Sequence, residues 1–492
     1  MKLARGHPSF PPDKPMASSS EQDSATSRPE GAPARPKEAR LIPVAVAGLV
    51  GLCWIVVVVQ LWVYGIRAEE VPHPGESRPA LPSMPLVYVT GIAYLACWAP
   101  YWVFSSRSWR QKAVRFIAAN GSIVFAVGLI ELVVAFSGLD FRRVLGLRVP
   151  AWQDTRNVLD DKLIHIRRPH YQERGKMIGG DVAFWYNTPA VTTFDYDLRY
   201  DRNGFRNEED YEQADYVVIG DSFVEAGGVL AGDMFTTKMA EMMGATVVNL
   251  GQSYYGPQQE LHVLDRFGLP LKPRVCVWVF FEANDLSDTW RYQGFIENWP
   301  MIERNHSSWT CRAFTSNAFV WLAKRFERVP PPDGRDRLGY LPTENGEEKI
   351  WFGYASGPFT PEMKREVEGL EVTLQALSIA GNLCRENDIQ LVVAFAPSKF
   401  RVYGDLCRFE AGSCVKTWEV NRLPGILLSS IQKHSPAIAV LDLTPSLREA
   451  AKTGRMLYYP DDTHWSPDGH RVVAATLVEF LQSARPNPSP GS

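Results

Sequence analysis

The stretch Gly220, Asp221, Ser222, Phe223 closes an apolar run, DYVVI, and puts a serine where open parallel sheets do their chemistry, at the carboxyl end of a strand. A hydroxyl is a poor nucleophile near neutral pH unless a base takes its proton and an acid holds that base in the right tautomer. Residues 458–470, YYPDDTHWSPDGH, offer both: His464 lies in a loop just ahead of a helical pattern, with Asp462 two residues before it and Asp461 three before it. His262, His306, His434 and His470 compete for the base role. Only His470 has an aspartate at matching spacing, Asp468, and that residue falls in a helix's first turn. A third strand-like run ends in Phe281, Glu282, Ala283, Asn284 and Asp285, which places the Asn284 amide at the same sheet edge as Ser222. An amide there can donate to a developing oxyanion, and one such donor is worth about 3 kcal/mol of transition-state stabilisation. The second run ends in Asn249, Leu250 and Gly251, followed by QSYYGP, so turn backbone N–H groups are available beside them. Taken singly each residue has a plainer role, as a loop histidine, a solvated aspartate or a chain-turning asparagine.

The elements needed to hold these residues are visible in the hydropathy pattern. From Asp215 onward apolar strands alternate with amphipathic helices: DYVVI, a helix from about 232, ATVVNL, a helix from about 257, and RVCVWVFF. Such alternation predicts a parallel α/β sheet. Residues 286–360, rich in Trp, Pro, Gly and charge, interrupt it and are too long for an idle loop. A helix over about 361–386, a fourth strand in IQLVVAFA, a fifth near 437–443, and a last helix opened by Ser466 and Pro467 complete the pattern, giving a domain over 215–484. Ahead of it, 138–214 is aromatic, charged and Gly-punctuated, a β-rich lead-in with Asn203 and Gly204 as a turn between short strands.

The 492-residue chain has net charge −3, so nothing basic points to nucleic acid. Residues 1–40 lack large apolar side chains and read as a disordered cytoplasmic tail, and 485–492 as a second disordered tail. The region 41–137 reads as membrane, with spans at about 41–66, 84–104 and 117–137, each near the roughly 20 residues that cross a hydrocarbon layer. Buried core helices are the alternative. Arg35, Lys37 and Arg40 before the first span, and Arg107, Arg110, Lys112 and Arg115 before the third, put both segments in the cytoplasm and the rest of the chain outside a multi-pass inner membrane. Arg142, Arg143 and Arg148 work against that orientation. Of seven cysteines, Cys53 and Cys97 fall in proposed spans, Cys276 in a strand, and Cys407 with Cys414 suit either a short disulfide or two free thiols. No Cys and His spacing suggests zinc, and neither a metal nor an organic cofactor is expected.

GDSF, NLGQSYYGPQQEL, EAND and DDTHW, in this order on successive strand ends, resemble the four blocks of the SGNH or GDSL hydrolase superfamily over about residues 215–484. The resemblance implies a flavodoxin-like three-layer fold that hydrolyses or transfers acyl groups at esters. It implies Ser222 as nucleophile, His464 as base, and Asn284 with the Ser222 N–H as oxyanion donors. The family's oxyanion glycine usually falls at the position of Tyr254, so Gly251 or Gly256 is expected to substitute; the family's second block-three glycine is Ala283 here. The DTHW wording favours Asp462 as the triad acid, while four-residue spacing would select Asp461. APSKFRVYGD at 396–405 is similar to a segment of alginate O-acetyltransferase-like members, which implies that Lys399 and Tyr403 line the cleft and contact a sugar or carboxylate.

These readings converge on a bacterial, membrane-anchored serine esterase or O-acyltransferase of extracytoplasmic, acetylated carbohydrate, working through an acyl-enzyme. A transferase implies a separate membrane partner to supply the acyl group. The alternatives are a lipid or short-chain carboxylesterase, and a non-catalytic carbohydrate-binding or assembly protein that keeps the fold, for which Tyr254 is the sequence argument.

Overall fold

The computed structural model describes residues 94, 96, 98–137, 139–147, 149–306, 311–315, 317, 318, 321, 334–353 and 364–483. The expected first span, 41–66, the cysteines Cys53 and Cys97, and Arg148 lie outside the described residues.

Five strands form the central sheet: β1 (Tyr216–Gly220), β2 (Val247–Gly251), β3 (Val275–Phe281), β4 (Gln390–Ala396) and β5 (Ala439–Asp442). They run in the order β2-β1-β3-β4-β5, all parallel. A parallel sheet covered on both faces needs strands that are apolar throughout, and β1, β2 and β3 are buried at every position. Val218, Val277, Val279 and Val392 point into one core, closed by the helices Phe235–Met243 and Pro467–Ser483 through Met239 and Leu477. Ile219, Trp278, Phe280 and Val393 point into the other, closed by Lys364–Glu386 and Leu423–His434 through Leu377 and Leu427.

This order is doubly wound, and it reverses between β1 and β3: the chain leaves β1 on one side to form β2 and returns on the other to form β3. Loops at such a reversal diverge and open a crevice at the strand ends. The residues after β1 and β3, Ser222 and Asn284, therefore flank one crevice.

The lead-in forms two antiparallel hairpins, Asn157–Asp160 with Ile164–Arg167 and Gln172–Ile178 with Thr193–Arg199. Asn203 and Gly204 do make a turn, since Asp201 accepts from the Asn203 and Phe205 N–H groups, but the strand before that turn pairs back to Gln172–Ile178 and not across it. The interruption of the sheet carries the helix Asp285–Glu297 and a hairpin, Leu338–Thr343 with Gly346–Trp351.

Among the described residues one helix, Trp109–Ser137, is long and apolar enough to cross a membrane by length and composition. Its 29 residues reach ~43 Å at 1.5 Å per residue, more than a hydrocarbon core needs. Only Ala113, Phe116, Asn120 and Val134 are buried, which separates it from the core helix of a soluble protein. It begins eight residues before the expected third span. Of the expected second span, 84–104, only residues 94, 96 and 98–104 are described, so a three-span topology is not established. Glu131, the one acid within this apolar stretch, accepts from the Phe314 and Thr315 N–H groups and tethers the helix to the insertion. Cys407 and Cys414 are both free thiols.

Candidate active site

Ser222 follows β1 as the first residue of a single helical turn, Ser222–Glu225, capped by Asp221, whose Oδ1 accepts from the Phe223 N–H at 2.9 Å. A first-turn N–H has no carbonyl partner within its own helix. The loop after β5 and its helix brings His464 to the same place. His464 Nε2 lies 2.8 Å from Ser222 Oγ, and Nδ1 lies 2.6 Å from Asp462 Oδ1, which also accepts from the His464 backbone N–H. A hydroxyl, an imidazole and a carboxylate thus form one hydrogen-bonded chain, the arrangement that activates a serine.

Electrostatics fit that chain. Burial pulls the His464 imidazole down, but the charge and hydrogen bond of Asp462, followed by Asp181 and Asp221, outweigh it and push the ring up to about 9. Burial pushes Asp462 up, and the His464 charge and hydrogen bonds overcome it to hold the carboxylate well below its usual range.

Asn284 Nδ2 donates to Asp221 Oδ2 at 3.1 Å and to Asp288 Oδ2 at 3.0 Å, so the amide is fixed beside the nucleophile's cap by two carboxylates. Asp288 in turn rises to about 7 through burial, against the opposing pull of Arg291. Tyr254 holds the left-handed conformation at φ +71 that the family's glycine would take at ease. Its backbone N–H has no hydrogen-bond partner among the described residues, and its ring is 46% exposed in the cleft. The Gly251 N–H, by contrast, is taken by Asn249 Oδ1 at 2.9 Å, so Gly251 is not free to donate to an oxyanion. Gly251 is needed for packing: a Cβ there would meet the Val224 Cβ at 2.4 Å, against the turn that carries Ser222. Gly256 instead caps the helix Pro257–Val263.

Residues 356–490 match the family model described as the SGNH hydrolase-like domain of acetyltransferase AlgX. The matched stretch carries β4, β5 and the loop that presents His464 to Ser222. The chain carries an SGNH hydrolase-like domain. It is an ester-acting hydrolase or acetyltransferase. No curated protein matches the chain. Among solved structures, a lipolytic protein of the G-D-S-L family from Desulfitobacterium hafniense is 14% identical over 54% of this chain and 98% of its own, with a TM-score of 0.29. An acetylxylan esterase from Geobacillus stearothermophilus is 11% identical over 55% and 95%, with a TM-score of 0.29. A GDSL-like lipase from Bacteroides thetaiotaomicron is 10% identical over 55% and 88%, at 0.28.

Three expectations for the SGNH domain's site need correction. Asp461 does not serve the imidazole: its carboxylate accepts from the backbone N–H groups of Gly180, Val191 and Thr192 and from the Thr192 hydroxyl. Lys399 does not reach the cleft. It is buried, and its Nζ donates to the carbonyls of Trp351, Tyr459 and Pro460 at 2.8, 2.8 and 3.1 Å, which ties the histidine loop to the insertion's hairpin. Burial pulls this lysine down to about 8. Tyr403 is buried too, donating to the Arg455 carbonyl at 2.6 Å and accepting from the Leu457 N–H at 2.7 Å. His470, the rival base, is buried with Nδ1 accepting from the Phe235 N–H, and burial pulls it down to about 3.

Sequence reading missed Asp181. Its carboxylate accepts from the Thr463 N–H at 2.8 Å and from the Thr463 hydroxyl, while its own N–H donates to Asp462 Oδ2 at 2.9 Å. Burial and the neighbouring Asp462 raise it to about 6. The available signal was Gly179-Gly180-Asp181 ahead of an apolar helix, because paired glycines mark a close backbone approach. Gly180 makes that approach: a Cβ there would lie 2.3 Å from the Asp462 Cβ. The cleft itself holds about 800 Å³, and one of its walls is built from the lead-in, including Phe184, Trp185, Phe194 and Tyr200.

Proposed function

We propose that this protein is a serine-dependent esterase or O-acyltransferase that acts on acetyl esters of carbohydrate outside the cytoplasmic membrane, through an acyl-enzyme. The observation that carries the proposal is the unbroken 2.8 Å and 2.6 Å chain from Ser222 Oγ through His464 to Asp462, open to a cleft of about 800 Å³. Ser222 Oγ bonds to the ester carbonyl carbon as its proton passes to His464 Nε2. The Ser222 and Tyr254 backbone N–H groups serve the resulting oxyanion, and the Asn284 amide joins them by releasing one of its two bonds, to Asp221 or to Asp288. On collapse the ester C–O bond breaks and His464 returns the proton to the departing sugar oxygen. Water or a sugar hydroxyl then attacks the acyl-enzyme with His464 again as base, giving hydrolysis or transfer.

Acetyl is the acyl group favoured by the match of residues 356–490 to the SGNH hydrolase-like domain of an acetyltransferase. The outer location is supported by the basic cluster Arg107, Arg110, Lys112 and Arg115 at and just before the start of Trp109–Ser137, which favours the cytoplasmic side for that end if the helix crosses a membrane. Arg142 and Arg143, at the other end, are absorbed into the folded lead-in by Asp140 at 2.7 Å and Asp154 at 2.5 Å. A non-catalytic role fits poorly with a nucleophile and base already within hydrogen-bond reach. The test is fluorophosphonate labelling of the full chain and of Ser222→Ala, followed by acetate release and acetyl transfer measured side by side on an acetylated glycan. Labelling of the parent and none of the variant is expected; equal labelling of both overturns the assignment.

A further inference from the structure

The loop after β2 contains one peptide whose orientation the rest of the loop does not settle. Before it, the Ser253 N–H donates to Glu225 Oε2 at 2.7 Å, and the Gln252 carbonyl of the same peptide unit accepts from the Tyr255 N–H at 3.2 Å. After it, Arg291 Nη2 donates to the Tyr254 carbonyl at 3.0 Å. Both flanking peptides are thereby fixed. Glu225 closes the helical turn that Ser222 opens and is itself held by Arg167 at 3.2 Å and Tyr200 at 2.6 Å, so the loop is registered to the nucleophile. The peptide between them, Ser253 C=O with Tyr254 N–H, is bonded among the described residues only at its carbonyl, by His165 Nε2 at 3.2 Å. A carbonyl only accepts, so Nε2 carries the ring proton. Burial, then the charge of Arg167, pulls His165 down to about 4, which keeps the ring neutral.

A peptide unit is planar and trans, so its C=O and N–H point opposite ways and turn together. Ser253 and Tyr254 line the cleft, whereas His165 is buried behind them in the lead-in strand Ile164–Arg167. Drawing the Ser253 oxygen toward His165 therefore turns the Tyr254 N–H the other way, toward the cleft. The opposite orientation is close at hand. Rotating this one peptide by about half a turn changes only ψ of Ser253 and φ of Tyr254, leaves the bonds of both flanking peptides in place, and takes Tyr254 out of the left-handed conformation that an L side chain disfavours. It also points the N–H away from the cleft. Backbone strain thus favours losing this donor, and the His165 bond opposes the strain.

We propose that His165 is a positioning residue for the oxyanion: its hydrogen bond to the Ser253 carbonyl holds the Ser253–Tyr254 peptide with the Tyr254 N–H facing the cleft, at a position where no glycine takes that conformation freely. The proposal rests on the serine-esterase reading above, in which this N–H serves the tetrahedral intermediate. His165 acts only through the orientation of one donor. Its effect therefore falls on the transition state, where the oxygen carries charge, and not on the ground-state complex.

The test compares the full chain in detergent with His165→Phe, His165→Asn and His165→Gln on p-nitrophenyl acetate. Rates are counted per Ser222 labelled by excess fluorophosphonate, so misfolded protein does not enter them. Phe keeps a ring without a donor, the Asn amide stops at the place of Nδ1, and the Gln amide reaches the place of Nε2. In the Phe and Asn variants kcat is expected to fall at least about tenfold with KM within about twofold, while the Gln variant stays within about threefold of the parent. Inhibition by a trifluoromethyl ketone, which forms an oxyanion on the serine, is expected to weaken by the factor lost in kcat. The pH profile should lose height while the limb set by His464 stays in place. An Asn variant as fast per labelled site as the parent, a Gln variant as slow as the Asn variant, or a loss confined to KM overturns the inference. Should the Phe variant fail to fold, the Asn and Gln variants decide alone. Failure of the serine-esterase reading looks different: the parent itself shows no p-nitrophenyl acetate hydrolysis and no Ser222 labelling.

Discussion

Replacing Asp181 with Asn removes a charge from behind the base and leaves its contacts nearly intact. Asn Oδ1 still accepts from the Thr463 N–H, and its Nδ2 can donate to the hydroxyl that formerly donated. The facing oxygens and nitrogens of Asp181, Asp462 and His464 lie within 4.8 Å of one another. At that separation Coulomb's law gives ~0.9 to 3.5 kcal/mol for effective dielectric constants of roughly 80 to 20, or ~0.6 to 2.5 pKa units. The cleft is open to water, so the lower part of that range applies and about one unit is expected. The sign follows from which form works. Only the neutral imidazole can take the Ser222 proton, so kcat/KM should rise with pH as His464 deprotonates near 9. Asp181 raises His464. Its neutralisation therefore moves the rising limb to lower pH by about one unit, lifting the rate at pH 7 relative to the plateau by up to roughly tenfold. The plateau itself falls modestly, because a less basic imidazole is a weaker acceptor. Below about pH 6 the difference narrows, since Asp181 in the parent is itself taking up a proton there. The assay is a pH profile of p-nitrophenyl acetate hydrolysis from pH 5 to 10 for parent and variant. A limb that stays in place while the whole profile drops by one factor would refute the electrostatic role and leave Asp181 a structural acceptor only.

Asn284→Ala should lower kcat by about 10²- to 10³-fold with little change in KM, as removal of one oxyanion donor does; steady-state kinetics on p-nitrophenyl acetate decide it. Lys399→Met strips the donors from three carbonyls around the histidine loop and should cost about 2 kcal/mol of stability, seen as a lower denaturation midpoint, while KM for the acetylated glycan stays within about twofold. Tyr254→Gly relieves a left-handed L-residue worth ~1 to 2 kcal/mol and adds ~0.5 to 1 kcal/mol of unfolded-chain freedom, so thermal unfolding should find the variant equal to the parent or up to about 1.5 kcal/mol more stable.

The α/β sheet and the serine at its edge were legible because their signals are local. DYVVI, ATVVNL, RVCVWVFF and IQLVVAFA are apolar runs of strand length that cannot be satisfied except between two helical layers, and each ends beside a polar residue at the same edge. Ser466 likewise announces the helix it caps, with its Oγ accepting from the Gly469 N–H. Roles that depend on what lies across a gap were not legible. Lys399 and Tyr403 sit after β4 in a segment that resembles a sugar-contacting stretch, yet burial decides their partners, and a lysine beside three free carbonyls is held inward by them. Asp181 is 281 residues from Asp462, and no periodicity links the start of a short helix to a loop that distant.

Asp461 and Asp462 show why a choice between adjacent acids could not be made from spacing alone. Both lie close enough in sequence to orient His464, and both are needed, for different reasons. Asp461 takes the N–H groups of Gly180, Val191 and Thr192, donors that a buried turn must satisfy. That fixes the lead-in against the loop and brings the Asp181 N–H to Asp462 Oδ2. With Oδ2 so occupied, Asp462 Oδ1 faces His464 Nδ1 and the ring's Nε2 is turned toward Ser222. The order of dependence runs from the lead-in to Asp461, from Asp461 to the loop, and from the loop to the base. The stretch 180–192 of the lead-in is therefore part of the candidate site: a wall of the cleft is also the scaffold that aims the imidazole.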